Sequence, residues 1–121
     1  MSHPAQHHKI NYVEFATTSI EGSKKFYSAV FGWVFKDWGP DYIDASPENT
    51  GLALGFRRGE SAQTQPGFAP LLVLYSADLK ATEAAIVTAG GSIDVPTFEF
   101  PGGRRFHFSD GLGNVLAVWS E

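Results

Sequence analysis

The chain has 121 residues, a formal net charge of -4, a pI near 5.5 and no cysteine. This length is typical of one domain with its own core, so a single domain over residues 1–121 is expected. The absence of cysteine excludes disulfides, thiolate metal ligands and thiol nucleophiles. The acidic balance argues against a nucleic-acid partner, and the sequence shows neither a membrane span nor a secretory signal. We therefore expect a soluble, cytoplasmic protein.

The first half of the chain is predicted to form a strand, a helix and three further strands. The strand-like run Ile10–Thr17 precedes Ser19, whose short side-chain oxygen suits a helix N-cap, and the helical pattern ends at Gly32. Three short candidate strands then follow, separated by Gly, Pro, Asn and Asp: Trp33–Trp38, Tyr42–Ala45 and Leu52–Arg58.

The second half repeats this order after a polar segment, residues 59–68, which is predicted to be a linker. The strand-like run Leu71–Ser76 leads to the N-cap type Asp78, and a helical pattern ends at Gly90 or Gly91. Three candidate strands again follow the helix: Ser92–Phe98, Arg104–Ser109 and Val115–Trp119.

An offset of 59 residues relates the two halves, because it places Ser19 on Asp78 and Ile20 on Leu79. Such self-similarity predicts two βαβββ modules, at residues 9–58 and 69–121. The preceding residues 1–8 are predicted to be a disordered tail. This tail holds three of the four histidines, which are expected to be solvated rather than to bind a metal: His3, His7 and His8.

Two motifs give the chain a resemblance to a known superfamily. The run FYSAVFGW at residues 26–33 looks like the end of the first helix in many glyoxalase-like proteins. The run FSDGLGNVL at residues 108–116 is similar to the hairpin before their last strand, with Gly111 where proline is usual. With the repeat, these motifs resemble the vicinal oxygen chelate superfamily of glyoxalases, bleomycin resistance proteins and extradiol dioxygenases. The resemblance implies an α+β fold in which the two modules form a curved eight-stranded mixed sheet with a ligand on its concave face, usually in a homodimer.

The resemblance also implies a divalent metal, held by one residue on the first and fourth strands of each module. Counting from the two motifs, these positions fall on Tyr12, on Leu71 or Leu72, and on Ala117, while residues 51–59 contain no His, Asp or Glu. A divalent metal needs three or four converging oxygen or imidazole donors. We therefore predict that the chain has no metal site and needs no cofactor.

Strand alternation places Tyr12 and Glu14 on the same face of the first strand, the face expected to line the pocket. A carboxylate in the middle of a strand is costly to bury and needs a partner. An ion pair with Arg57 or Arg105 would provide one. A role for Glu14 in acid-base chemistry is the alternative.

The last hairpin gives a second prediction about the same pocket. A five-residue loop from Asp110 to Asn114 would pair His107 with Ala117 and Arg105 with Trp119, because the register follows from the loop length. Alternation then turns these four side chains toward the cavity and the neighbouring apolar side chains toward the helices: Phe106, Phe108, Leu116 and Val118.

Several functions remain compatible with these residues. A metal-free protein could bind or sequester a small organic molecule, and the 14% aromatic content fits such a cavity. An enzyme of the glyoxalase-like lyase or isomerase type could use Glu14 and His107 as acid-base partners, although His107 could equally be structural. A metal-dependent lyase or dioxygenase with unrecognised ligands, or a module that binds another protein, are further alternatives. The predicted ligand-binding residues are Tyr12, Arg57, Arg105, Ala117 and Trp119.

Overall fold

The computed structural model describes residues 7–59 and 70–121. His3 in the predicted tail and residues 60–68 of the predicted linker lie outside the described residues. The first module contains β1 (Tyr12–Thr17), α1 (Ile20–Phe31), β2 (Lys36–Asp37), β3 (Tyr42–Ala45), α2 (Pro47–Thr50) and β4 (Ala53–Arg58). The second contains β5 (Val73–Tyr75), α3 (Leu79–Thr88), β6 (Ser92–Phe100), β7 (Gly103–Ser109) and β8 (Val115–Ser120). None of the helices in these ranges is long and apolar enough to cross a membrane.

The eight predicted strands are present, and they form two four-stranded mixed sheets, in the orders β1-β4-β3-β2 and β5-β8-β7-β6. In each module the first strand is parallel to the last, while the other neighbours are antiparallel. The two sheets therefore repeat one topology, and the α+β class with two βαβββ modules is confirmed.

Both long helices begin at the predicted caps. The Ser19 side chain accepts a hydrogen bond from the Gly22 backbone N–H at 3.0 Å, and the Asp78 carboxylate accepts one from Ala81 at 3.1 Å. These bonds satisfy N–H groups that have no partner within the first helical turn. Gly32, with φ of 72°, and Gly90, with φ of 101°, supply the left-handed conformation that follows each helix.

One hydrophobic core joins the two modules. Phe26 of α1 packs on Phe108 of β7, with ring centroids 6.2 Å apart, and the Tyr27 ring stacks on Trp33 at 5.2 Å. All four side chains are buried in the same cluster as Ile86 of α3. Because the core lies between the helices and the sheets, each sheet keeps a second face that points away from the helices. We call this second face the open face.

Two local features differ from the predicted elements. The strand predicted over Trp33–Trp38 is reduced to two residues, because Trp33 turns into the core instead of joining the sheet. The short helix α2, Pro47–Thr50, was not predicted, although Ser46 and Pro47 form a typical helix start. This extra turn connects β3 to β4.

Candidate functional site

The last hairpin has the predicted register. His107 pairs with Ala117, and Arg105 pairs with Trp119. The alternate side chains Phe106 and Phe108 are fully buried against the helices. Arg105, His107, Ala117 and Trp119 therefore share the open face of the second sheet, as the loop length predicted.

Aromatic side chains cover much of this open face. The Trp119 ring makes an edge contact with Tyr75, with centroids 5.2 Å apart, and lies 6.3 Å from Phe100. The Phe98 ring lies 5.8 Å from His107. Tyr75 is 53% exposed, so the aromatic surface is open to solvent. Edge and tilted contacts of this kind form a rigid apolar wall that suits a planar organic molecule.

Among the described residues, two buried polar atoms on the same face have no hydrogen-bond partner. The Arg105 guanidinium lies over the rings of Phe98 and Phe100, at 5.3 and 5.6 Å from their centroids, which holds it in place. Its Nε atom is buried without a hydrogen bond, and so is the Nε2 atom of His107. Burial, followed by the neighbouring Arg105 charge, lowers the pKa of His107 below its usual value, so the imidazole is mainly neutral at pH 7. Buried polar atoms without partners are rare in folded proteins.

The open face of the first sheet carries a different cluster. The Tyr12 hydroxyl donates a hydrogen bond to Glu14 Oε1 at 3.0 Å and also contacts the Tyr42 hydroxyl. Glu14 Oε2 lies 3.1 Å from Arg57 Nε in an ion pair that is about 40% exposed. We call these four residues the tyrosine-glutamate cluster. Burial and hydrogen bonds with Tyr42 and Glu14 raise the pKa of Tyr12 well above its usual value, which keeps its phenol protonated.

Gly55 allows the two tyrosines to meet. It lies on β4 opposite Glu14 and is buried, and an added Cβ would overlap both tyrosine hydroxyls. Tyr42 reaches this point from β3, where it pairs with Arg57, because side chains two positions apart along neighbouring strands are diagonal neighbours. The glycine thus creates the space in which the cluster forms.

The structure resolves one alternative that the sequence left open. Of the two candidate arginines for Glu14, Arg57 forms the ion pair. Both Glu14 oxygens are engaged within the first sheet, whereas the charges acting on the His107 pKa are Arg105 and Asp94 of the second. Acid-base cooperation between Glu14 and His107 stays a prediction.

The donors at the expected metal positions do not fit a divalent metal. At one expected ligand position, Ala117 of β8 lies opposite Val73 of β5. The equivalent pair in the first sheet is Gly55 of β4 with Glu14 of β1. Leu71 and Leu72 lie just before β5 and, like Ala117, supply no donor atoms. Glu14 offers the one carboxylate, which is already bound by Tyr12 and Arg57. Within residues 7–59 and 70–121, no group of three or more His, Asp or Glu side chains could hold a metal ion.

The residues of the two recognised motifs have structural roles. Asp110 is buried and accepts hydrogen bonds from the Tyr27 hydroxyl at 2.9 Å and from the Leu112 backbone N–H at 2.7 Å. Asn114 donates one bond to Asp110 and another to the Ala16 carbonyl of β1. The motifs thus hold the two modules together.

Sequence reasoning missed several residues on those faces. Tyr42 was assigned to a strand without a role, and Phe98, Phe100 and Tyr75 were not singled out. Alternation in β6 is interrupted, because its pairing with β7 shifts register twice between Ile93 and Phe98. Phe98 and Phe100 nevertheless occupy alternate positions just before the turn into β7, and this pattern was a usable signal of an aromatic face.

Comparisons with known proteins agree with this architecture. Residues 9–118 match the family model of the Glyoxalase/Bleomycin resistance protein/Dioxygenase superfamily. Two solved structures share the fold: a glyoxalase/bleomycin resistance protein/dioxygenase family enzyme from Burkholderia phytofirmans PsJN and a glyoxalase-related enzyme from Fulvimarina pelagi. The first has a TM-score of 0.74 at 18% identity and covers 92% of this chain and 97% of its own. The second has a TM-score of 0.73 at 20% identity and covers 93% and 88%.

The chain belongs to the glyoxalase/bleomycin resistance protein/dioxygenase superfamily, as the family model matches nearly its whole length. Among curated proteins it is similar to the Mycobacterium tuberculosis protein named "Putative glyoxylase CFP32", with 27% identity over 115 residues. That alignment covers 90% of this chain and 44% of CFP32, so the chain spans less than half the length of this relative.

Proposed function

We propose that the chain binds a small organic molecule with an aromatic body and an acidic group, on the open face of its second sheet and without a bound metal. The observation that carries the proposal is the pair of unpartnered nitrogens, Arg105 Nε and His107 Nε2, on an aromatic surface. Arginine is suited to bind a carboxylate through two parallel hydrogen bonds, and a neutral imidazole can add a third bond.

The Arg105 charge supports an anionic rather than a cationic ligand beside it, while the other charged groups near this face, Asp94 and Glu121, have hydrogen-bond partners of their own. Among the described residues, no carboxylate forms a salt bridge with Arg105. The nearby Asp94 accepts hydrogen bonds from Ser92 and Ser109. The net acidity of the chain is compatible with a cationic drug, but the Arg105 charge would repel such a ligand on this face. Because both nitrogens are covered by neighbouring side chains, a ligand reaches them through rotamer changes of the kind that commonly accompany binding.

The proposal is tested by titrating the isotope-labelled protein with benzoate and with benzylamine, two molecules with the same ring and opposite charges. We expect benzoate to shift the ring signals of Phe98, Phe100 and Trp119, and benzylamine to leave them in place. Arg105→Met should weaken benzoate binding by about tenfold or more, since it removes a charged hydrogen-bond donor.

Arg104→Met is the matched control, because Arg104 is the neighbouring, exposed arginine and alternation turns it to the other side of β7. It should bind benzoate like the unaltered protein. Equal or stronger binding of benzylamine, or equal losses in the two arginine variants, would contradict the proposal.

An enzymatic function is the second candidate, and the polar groups on both open faces support it. Glu14 and His107 would act as base and acid on the bound molecule. Replacing each by glutamine should then lower turnover while the protein keeps its fold. A protein that binds benzoate but turns over none of its derivatives favours sequestration instead.

A further inference from the structure

The tyrosine-glutamate cluster on the first sheet has a direction, because each hydroxyl has a single proton. The Tyr12 hydroxyl donates a hydrogen bond to Glu14 Oε1, and Arg57 forms an ion pair with the other carboxylate oxygen. In the contact between the two tyrosine hydroxyls, Tyr42 is therefore the donor and the Tyr12 oxygen is the acceptor. The chain of hydrogen bonds runs from Tyr42 through Tyr12 to Glu14.

The Tyr42 oxygen is the open end of this chain. Within the part of the sequence that the structure describes, Tyr12 is its one hydrogen-bond partner, and the side chain is half-buried. Its proton is already used, so the oxygen can accept a hydrogen bond but has none left to donate. Successive hydrogen bonds polarise one another, and the carboxylate at the far end strengthens the Tyr42 oxygen as an acceptor.

We propose that the Tyr42 oxygen, held over Gly55, is a binding site for the hydroxyl group of a small alcohol or phenol. An incoming O–H donates to Tyr42 and completes the chain to Glu14, whereas an ether or a ketone supplies no proton and gains nothing there. The site lies on the first sheet and does not depend on the acidic-ligand site proposed around Arg105.

Gly55 gives this site its architecture. The glycine is extended, with no positive φ, so its backbone alone would accept alanine. An alanine Cβ would nevertheless overlap the hydroxyl ends of both tyrosine side chains, which would have to move away from the strand. Gly55→Ala is thus expected to keep the fold and to break up the cluster.

Phenol and anisole form the decisive pair of probes, because they share a ring and differ in the hydroxyl proton. In titrations of the full isotope-labelled chain, phenol should shift the Gly55 amide and the ring signals of Tyr12 and Tyr42. Anisole at the same concentrations should leave these signals in place. Binding is assessed at these signals alone, which separates the site from the aromatic surface of the second sheet.

Two variants and a control complete the test. Tyr42→Phe and Gly55→Ala should each weaken phenol binding at these signals by about tenfold, the effect of losing one hydrogen bond. Asp41→Asn removes an exposed ion pair at the residue next to Tyr42, outside the cluster, and should leave phenol binding at these signals unchanged. Equal responses to phenol and anisole, or unchanged phenol binding in Gly55→Ala, would overturn the proposal. The benzoate titration is assessed at Arg105 and its neighbours, so either site can fail while the other stands.

Discussion

The Tyr27 hydroxyl donates a hydrogen bond to Asp110 Oδ2 at 2.9 Å, across 83 residues of sequence. Each residue belongs to one of the two motifs that distinguish the chain, and both are buried. Burial and the Asp110 charge raise the pKa of Tyr27 well above its usual value, so the donor stays protonated. The contact joins the helix of the first module to the last hairpin of the second and fixes the two sheets relative to the core.

Tyr27→Phe should therefore destabilise the whole domain. The variant leaves a buried carboxylate with one donor fewer, which costs about 1–3 kcal/mol, although the backbone N–H groups of Leu112 and Asn114 still bind it. Urea unfolding measures the loss. Tyr75→Phe is the control, since its hydroxyl bonds to the exposed C-terminal Glu121, and should cost less than about 0.5 kcal/mol. Equal losses of unfolding free energy in both variants would show that the buried Tyr27 hydrogen bond stabilises the domain no more than the exposed Tyr75 bond.

His107 should make the protein less stable as the pH falls from 7 to 5. Burial, followed by the Arg105 charge, lowers its pKa in the folded chain below the unfolded value near 6.5. The unfolded chain thus binds the proton more readily, and the stability present above pH 6.5 is lost as the pH drops through the folded value. The glutamine in His107→Gln does not titrate. As the pH falls, the unfolding free energy of the unaltered protein should therefore decrease more than that of His107→Gln. Parallel pH profiles would contradict the assignment.

Glu14→Gln should change stability by less than about 1 kcal/mol, because the ion pair with Arg57 is substantially exposed and screened. The glutamine oxygen can still accept the Tyr12 hydroxyl. Asp41→Asn, which removes the exposed ion pair with Arg58, is a matched control and should have a similarly small effect. Thermal unfolding of the unaltered protein, Glu14→Gln and Asp41→Asn measures the change in stability that each substitution causes. A loss of several kcal/mol in Glu14→Gln alone would mean that the cluster is a structural centre.

The chain should form a homodimer. Within the described residues, four edge strands, β1, β2, β5 and β6, each have one neighbour in their sheets, and the apolar side chains of Val73 and Val95 are exposed. Unpaired edges and apolar surfaces of this kind are commonly covered by a symmetric partner. Sedimentation at micromolar concentration should give about twice the 13.2 kDa of one chain. A single species of 13.2 kDa would be contrary to this expectation.

Local patterns predicted the second sheet's site better than the first. The Asp110 to Asn114 loop fixes the β7–β8 register, so alternation alone placed Arg105 and His107 together. Tyr42 meets Tyr12 only through the pairing of β3 with β4 and of β4 with β1, and the chain between β3 and β4 contains the unpredicted helix α2. Contacts that depend on two successive registers cannot be read from the spacing within one strand.

The Tyr27–Asp110 bond illustrates the same limit. Both motifs could be recognised in the sequence, but each was informative about its own turn or helix end. Their contact depends on how the helix of one module packs on the hairpin of the other. Tertiary packing of this kind leaves no periodic signal along the chain.

The central claim is that the second sheet binds an acidic aromatic molecule without a metal. The most direct measurement is a calorimetric titration of the chelator-treated, dialysed protein with benzoate, repeated after addition of zinc or nickel. We predict the same dissociation constant in all three titrations, and benzoate binding weaker by about tenfold or more in Arg105→Met. Benzoate binding that appears only once a metal has been restored would contradict the account.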